Sequence, residues 1–221
     1  MKKILSSLLV MIAFASQAFA VQYQDLTDAQ KASIEKGEQV FITEPATHGA
    51  WPKVYIFQSI DSTVQEATAM FFDYELQKDY ISSLNKSKIS LVHSPVDKEI
   101  DYILAVPFLR DEWYTVRDVL SREKSGEKEA LVISWSLVKA RTTIESEGYA
   151  RFESLGNKTL LSYYNFVVPG SSLAGMVREK AMKQVRDTAK AIVTQVATEK
   201  TENPALLKTQ MGILEEALKS L

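Results

Sequence analysis

The sequence predicts one α+β domain, a run of antiparallel strands closed by a single long amphipathic helix. Three observations carry that expectation. From about Ser87 the chain reads as six successive strands with turn residues between them. From Ser171 to Lys200 the apolar residues switch to helical spacing. Ahead of the strands stands a strand followed by a helix, from Val54 onward.

The first residues, MKKILSSLLVMIAFASQAFA, form a segment of their own. Lys2 and Lys3 give a basic start, Ile4 to Phe14 is mostly apolar, and Ala18-Phe19-Ala20 is the small-x-small pattern of a cleavage site. The apolar run is far short of the roughly 18 residues that span a bilayer. It reads as a secretory signal peptide over residues 1–20, cleaved after Ala20, which makes the mature protein periplasmic or secreted. No cysteine follows the run, so it is not a lipoprotein leader.

The 221 residues carry a net charge of −2, and the two leader lysines make the mature chain more negative still. That argues against nucleic acid, which wants a basic surface. The absence of cysteine excludes disulfides, thiol catalysis and cysteine metal sites. The fold must hold by packing alone, and the chain is long enough to bury the core this needs.

The elements follow in order. Thr27-Asp28-Ala29-Gln30 is a capping box, and a short helix ends near Gly37. Residues 21–50 are read as a helical lead-in, with Glu44 to Pro52 as loop. Val54 to Asp61 is a strand. The helix after it is capped by Asp61 or Ser62 and breaks between Asp73 and Gln77. The strands are SKISLVHSP, IDYILAVPFL, EWYTVRDVLSREK, EALVISWSLV, TTIESEGYARFESL and KTLLSYYNFVV. In LVISWSLV, Ile133, Trp135 and Leu137 alternate with Ser134 and Ser136, the mark of an antiparallel sheet with one polar face. Pro169-Gly170 ends the strands. The long helix carries an apolar stripe through Leu173, Ala181, Val185, Ala189, Ile192 and Val196, and residues 201–221 form a shorter amphipathic helix. A sheet that grips one helix leaves a cavity between them rather than a solid core.

This order resembles the START-like, or SRPBCC, helix-grip domains, which bind lipids and other apolar molecules. The resemblance covers residues 51–200. VYIFQSIDSTVQEATAMFFDYELQKDYI looks like the opening strand and helix of those domains, and WYTVRDVL like their strand with an Arg-Asp pair. EGYARFESLGNKTLLSYYNFVVPGSSLAGMVREKAMKQV looks like their closing hairpin and final helix. Leu109-Arg110-Asp111-Glu112-Trp113 departs from the usual phrase before that strand, and the helix after Asn203 lies outside the pattern. The resemblance implies a curved antiparallel β-sheet wrapped around a long C-terminal α-helix. It also implies an apolar small molecule or lipid held between them.

Candidate ligand contacts are Trp113, Arg117, Trp135, Tyr149, Tyr163 and Met176. Arg117 and Asp118 are neighbours on one strand, so one points inward and the other outward. Parity groups Trp113, Thr115, Arg117 and Val119 against Tyr114, Val116, Asp118 and Leu120 and leaves the inward face open. Arg117 is placed inward here, where it would meet a ligand head or pair with Glu145 or Glu147. An unpaired charge inside would be too costly. Tyrosine offers a hydroxyl beside an apolar ring, and methionine adapts to an irregular wall.

No catalytic set stands out. His48 and His93 lie apart, neither at metal-ligand spacing, so no metal and no cofactor is expected. Glu145 and Glu147 share a face that reads as solvated. Basic residues on the long helix suit a transient contact with an anionic membrane, but Glu179 and Asp187 alternate with them. Two rivals to ligand binding remain: an enzyme of cyclase or hydrolase type on the same scaffold, and an interaction module whose cavity is filled by side chains.

Overall fold

A computed structural model of the protein describes residues 21–46, 51–106, 110–125 and 128–221. The leader, its cleavage site at Ala20, and His48 lie outside the described residues.

A short turn of 3-10 helix (Tyr23–Asp25) precedes α1 (Asp28–Glu35). The predicted capping box closes its start: the Thr27 hydroxyl accepts from the Gln30 amide at 3.3 Å, and the Thr27 amide donates to Gln30 Oε1 at 2.9 Å. Its end is a Schellman turn. Gly37, at φ 87°, lets the Glu38 amide reach the Ser33 carbonyl at 3.0 Å.

The helical lead-in then needs a correction, because Val40–Glu44 form a strand, β1. Five residues are too few for alternation to register, and pairing with β2 (Lys53–Ile60) decides the matter. Helix α2 (Val64–Phe72) is capped by Thr63 rather than by Asp61 or Ser62. The Thr63 amide donates to Glu66 Oε2 at 2.8 Å, a capping box that puts the cap just beyond Ser62. The break after α2 falls where predicted: a 3-10 turn (Tyr74–Leu76) leads into α3 (Gln77–Tyr80).

The remaining strands are β3 (Leu84–Ser94), β4 (Asp97–Leu104), β5 (Glu112–Ser125), β6 (Lys128–Ala140), β7 (Thr143–Leu155) and β8 (Lys158–Pro169). They form a meander, and β2 lies against β8, giving one antiparallel sheet in the order β1-β2-β8-β7-β6-β5-β4-β3. Helix α4 (Ala174–Glu202) lies across its inner face, and α5 (Pro204–Leu218) follows it. This is the curved antiparallel sheet around a long C-terminal helix that the sequence predicts.

Both faces of the sheet are covered in part. The main core joins the inner face to α2, α4 and α5 through Ile56, Phe71, Ile133, Phe152, Leu161, Ile192 and Val196. A second cluster lies on the outer face, where Leu26 and Ile34 cover Tyr55, Phe57, Leu160 and Tyr164. Helix α5 buries Leu207, Leu214 and Ala217 in the main core, mostly against α2.

Candidate ligand cavity

Helix α4 behaves differently along its length. Its C-terminal half buries Ala189, Ile192 and Val196 completely. Its first half presents Ala174, Ala181 and Thr188 at heptad spacing toward the sheet. These side chains are too small to fill the space that the later Ile and Val fill. A cavity of about 390 Å³ results, between the first half of α4 and strands β4 to β8. Its wall is mostly apolar and aromatic, with Phe71, Tyr102, Tyr114, Val116, Trp135, Tyr163 and Val185 among the lining residues.

Trp135 is set by a glycine. Gly148 stands opposite it on β7, and a Cβ there would collide with the indole and with the Tyr164 carbonyl. The missing side chain lets the indole lie flat across β7, with its ring centroid 5.3 Å from that of Tyr163. Deeper in, the Tyr102 hydroxyl donates to Gln77 Oε1 at 2.7 Å, and Gln77 Nε2 donates to the Phe71 carbonyl at 3.0 Å. That chain ties α3 to the sheet.

One wall is pinned by Glu112. Its carboxylate accepts from the Thr142 and Thr143 amides at 2.7 and 2.9 Å, and from both hydroxyls. Burial pushes this carboxyl up, but the four hydrogen bonds outweigh it and hold it below its ordinary value. The Gln184 amide donates to the Ala105 carbonyl at 3.0 Å, which links α4 to the chain after β4.

Strand β5 carries the charged pair, and it is Asp118 that points inward. Arg117 lies outside with its side chain about half exposed. It makes a two-pronged ion pair with Asp97 at 2.8 and 2.5 Å, which holds the Asp97 carboxyl below its usual value. The inward placing of Arg117 is thereby corrected, and neither Glu145 nor Glu147 is its partner. Asp118 is 3% exposed and lines the cavity, and its Oδ1 has no hydrogen-bond partner. Burial alone pushes its carboxyl up to about 8.

Of the other predicted contacts, Trp135 and Tyr163 line the cavity. Trp113 does not: it shares the outer parity of Arg117 and is 45% exposed. Tyr149 packs on the outer face against Tyr164, ring centroids 5.4 Å apart, where α1 covers the sheet. Met176 sits in the first turn of α4, off the face that meets the sheet, and is 82% exposed. Sequence reasoning missed Asp118 and Tyr114 as wall residues, although their parity with Val116 and Leu120 is the signal that unites them. Glu145 and Glu147 are exposed, and Glu147 accepts from the Tyr164 hydroxyl at 3.0 Å. His93 contacts Glu99 at 3.0 Å at the surface. Among the described residues no cluster of His, Asp and Glu could hold a metal ion, and no helix is long and apolar enough to cross a membrane.

No protein-family model matches the sequence, and neither does any curated protein. Solved structures do match in fold. A STAR-related lipid transfer protein fragment from Xanthomonas axonopodis superposes with a TM-score of 0.59 at 11% identity, covering 71% of this chain and 98% of that one. Human StAR-related lipid transfer protein 5 gives 0.51 at 12% identity, covering 70% and 86%. The Zhui aromatase/cyclase from a Streptomyces species gives 0.53 at 15% identity, covering 68% and 96%. The chain thus has the START-like helix-grip fold.

Proposed function

We propose that the protein binds an apolar small molecule, such as a lipid, in the cavity between the sheet and α4. The cavity itself carries this reading. A chain that packs the second half of α4 solidly leaves room beside the first half, and the wall there is apolar and aromatic. Its volume falls within the roughly 300–1,000 Å³ usual for small-molecule sites. The ligand would gain by leaving water, and a few polar groups would orient it. Two of the fold neighbours are named as lipid transfer proteins, which fits the same class of ligand. An open interior disfavours the rival in which side chains fill the cavity.

A second reading is an enzyme of cyclase type, since an aromatase/cyclase shares the fold. One observation favours it. An acid held neutral near pH 7 in a cavity that tyrosines also line can serve proton transfer. We further propose that residues 1–20 are a cleaved leader and that binding takes place in the periplasm or beyond, a reading supported by their basic start, apolar run and Ala-Phe-Ala end.

Native mass spectrometry of protein purified from a bacterial periplasm, followed by solvent extraction, tests the binding reading. A stoichiometric apolar molecule released intact is the expected result. Protein that arrives empty and also fails to take up a fluorescent apolar probe would sink it. Conversion of an extracted molecule on incubation would favour the enzyme.

A further inference from the structure

Among the polar groups of the cavity wall Asp118 stands out as a buried acid, although the Trp51 indole nitrogen there is also buried without a partner. Asp118 stands on the inner face of β5, 3% exposed, with Oδ1 enclosed and without a partner. Leucine or valine would serve packing better there, because a buried polar atom without a hydrogen bond is destabilising. A carboxyl without a protein partner in a cavity wall has its natural partner on whatever fills the cavity. Resting on the binding reading above, we infer that Asp118 selects the ligand, gripping an apolar molecule that carries a neutral hydroxyl group.

The chemistry around Asp118 separates a hydroxyl from charged head groups. The buried carboxyl keeps its proton at neutral pH, so it offers one O–H donor and an acceptor oxygen. A hydroxyl also donates and accepts, so the two can satisfy each other. The phenols of Tyr114 and Tyr163 line the same cavity and are of the same dual kind. Burial pushes both phenols up, so they too keep their protons at neutral pH.

A cationic head fits less well. Lys98 stands directly across from Asp118 on β4, yet its ammonium turns away to lie 4.1 Å from the Phe72 ring centroid and 5.6 Å from that of Tyr74. A cation at Asp118 would have to lose its own water in this closed site. An anionic head would bring two carboxyl groups into one buried site, which raises the cost of ionising either. The exposed Arg110 and Arg141 also border the cavity and give an anion a rival seat, so an anionic probe belongs in the test.

Displacement of a bound apolar fluorophore by 1-decanol, decane and decanoate reads the selection directly, in the wild type, Asp118→Leu and Asp118→Asn. In the wild type decanol should displace better than decanoate. In Asp118→Leu the ratio of decanol to decane affinity should fall about tenfold, the scale of one hydrogen bond lost in a buried site. Asp118→Asn should keep most of the ratio, because the amide also donates and accepts. Leucine removes an unsatisfied polar atom, so that variant should fold at least as well as the wild type. An unchanged ratio in Asp118→Leu, or decanoate winning in the wild type, overturns the inference while leaving cavity binding intact. Failure of the wild type to take up the fluorophore or decane overturns the binding reading itself, and this inference with it.

Discussion

Asp118 links the fold to pH. Its carboxyl rises from the ordinary 3.8 to about 8 in the folded protein. Between those values the folded protein holds a proton that the unfolded chain has lost. Its share of stability is therefore complete below about pH 4 and declines as pH rises to about 8. The slope approaches 1.4 kcal/mol per pH unit, about the free energy of one pKa unit. Urea unfolding of the wild type and Asp118→Asn across pH 4 to 9 should give curves that diverge up to about pH 8 and then run parallel. Curves parallel throughout would show that the acid is not buried alone. Glu199, also raised by burial, is common to both proteins and cancels. Gly148→Ala tests a neighbouring contact. A methyl at that site meets both an indole and a backbone carbonyl, so the strand must move. A loss of about 3 kcal/mol is expected from the same unfolding measurement, the scale of overpacking a well-packed site. Arg117→Ala removes a half-exposed ion pair and should cost no more than about 1 kcal/mol.

At the scale of elements, legibility in the sequence depended on length and on which face water occupies. The strands of the meander were legible because each runs for many alternating residues, and α4 because its stripe runs for several turns. Strand β1 was not, since five residues carry too little pattern. The site was only partly legible, because parity sorts a strand into two faces without saying which one meets the helix. Taking Arg117 inward selected the wrong half of β5, and Trp113 went with it. Tyr149 misled for another reason: α1 makes the outer face locally apolar, so an aromatic there is core rather than cavity wall. What was present but unread was the heptad of small residues on α4, Ala174, Ala181 and Thr188, which creates the space. Ala181→Phe should fill it. The expected result is loss of apolar-probe uptake by at least about tenfold, with stability changed by under about 1.5 kcal/mol because the new ring enters open volume. Undiminished uptake would place the probe elsewhere on the molecule.

On the scale of the whole molecule, the sheet has a solid end and a hollow end. Around the C-terminal half of α4, the helices α2 and α5 and strands β2, β7 and β8 close into a continuous core, with Ile56, Phe152, Leu161, Ile192 and Val196 all nearly inaccessible. Toward the N-terminal half of α4 the same sheet faces a cavity, and the segment from Ser171 into α4 carries exposed Leu173 and Met176. Local opening is least costly where few apolar contacts must break. Amide exchange should therefore be slowest in α2, β2 and β8, and clearly faster in the first three turns of α4 and at the start of β5. A ligand that binds only the folded protein adds stability by mass action, and it adds most to the segments that open to admit it. Saturating apolar ligand should slow exchange at Ala174 to Thr188 and near Glu112 to Val116, while leaving the fully closed end at its global limit plus one uniform increment. Protection confined to α5 and α2 would instead point to a surface site on the C-terminal helix, and the hollow end would then have no part in binding.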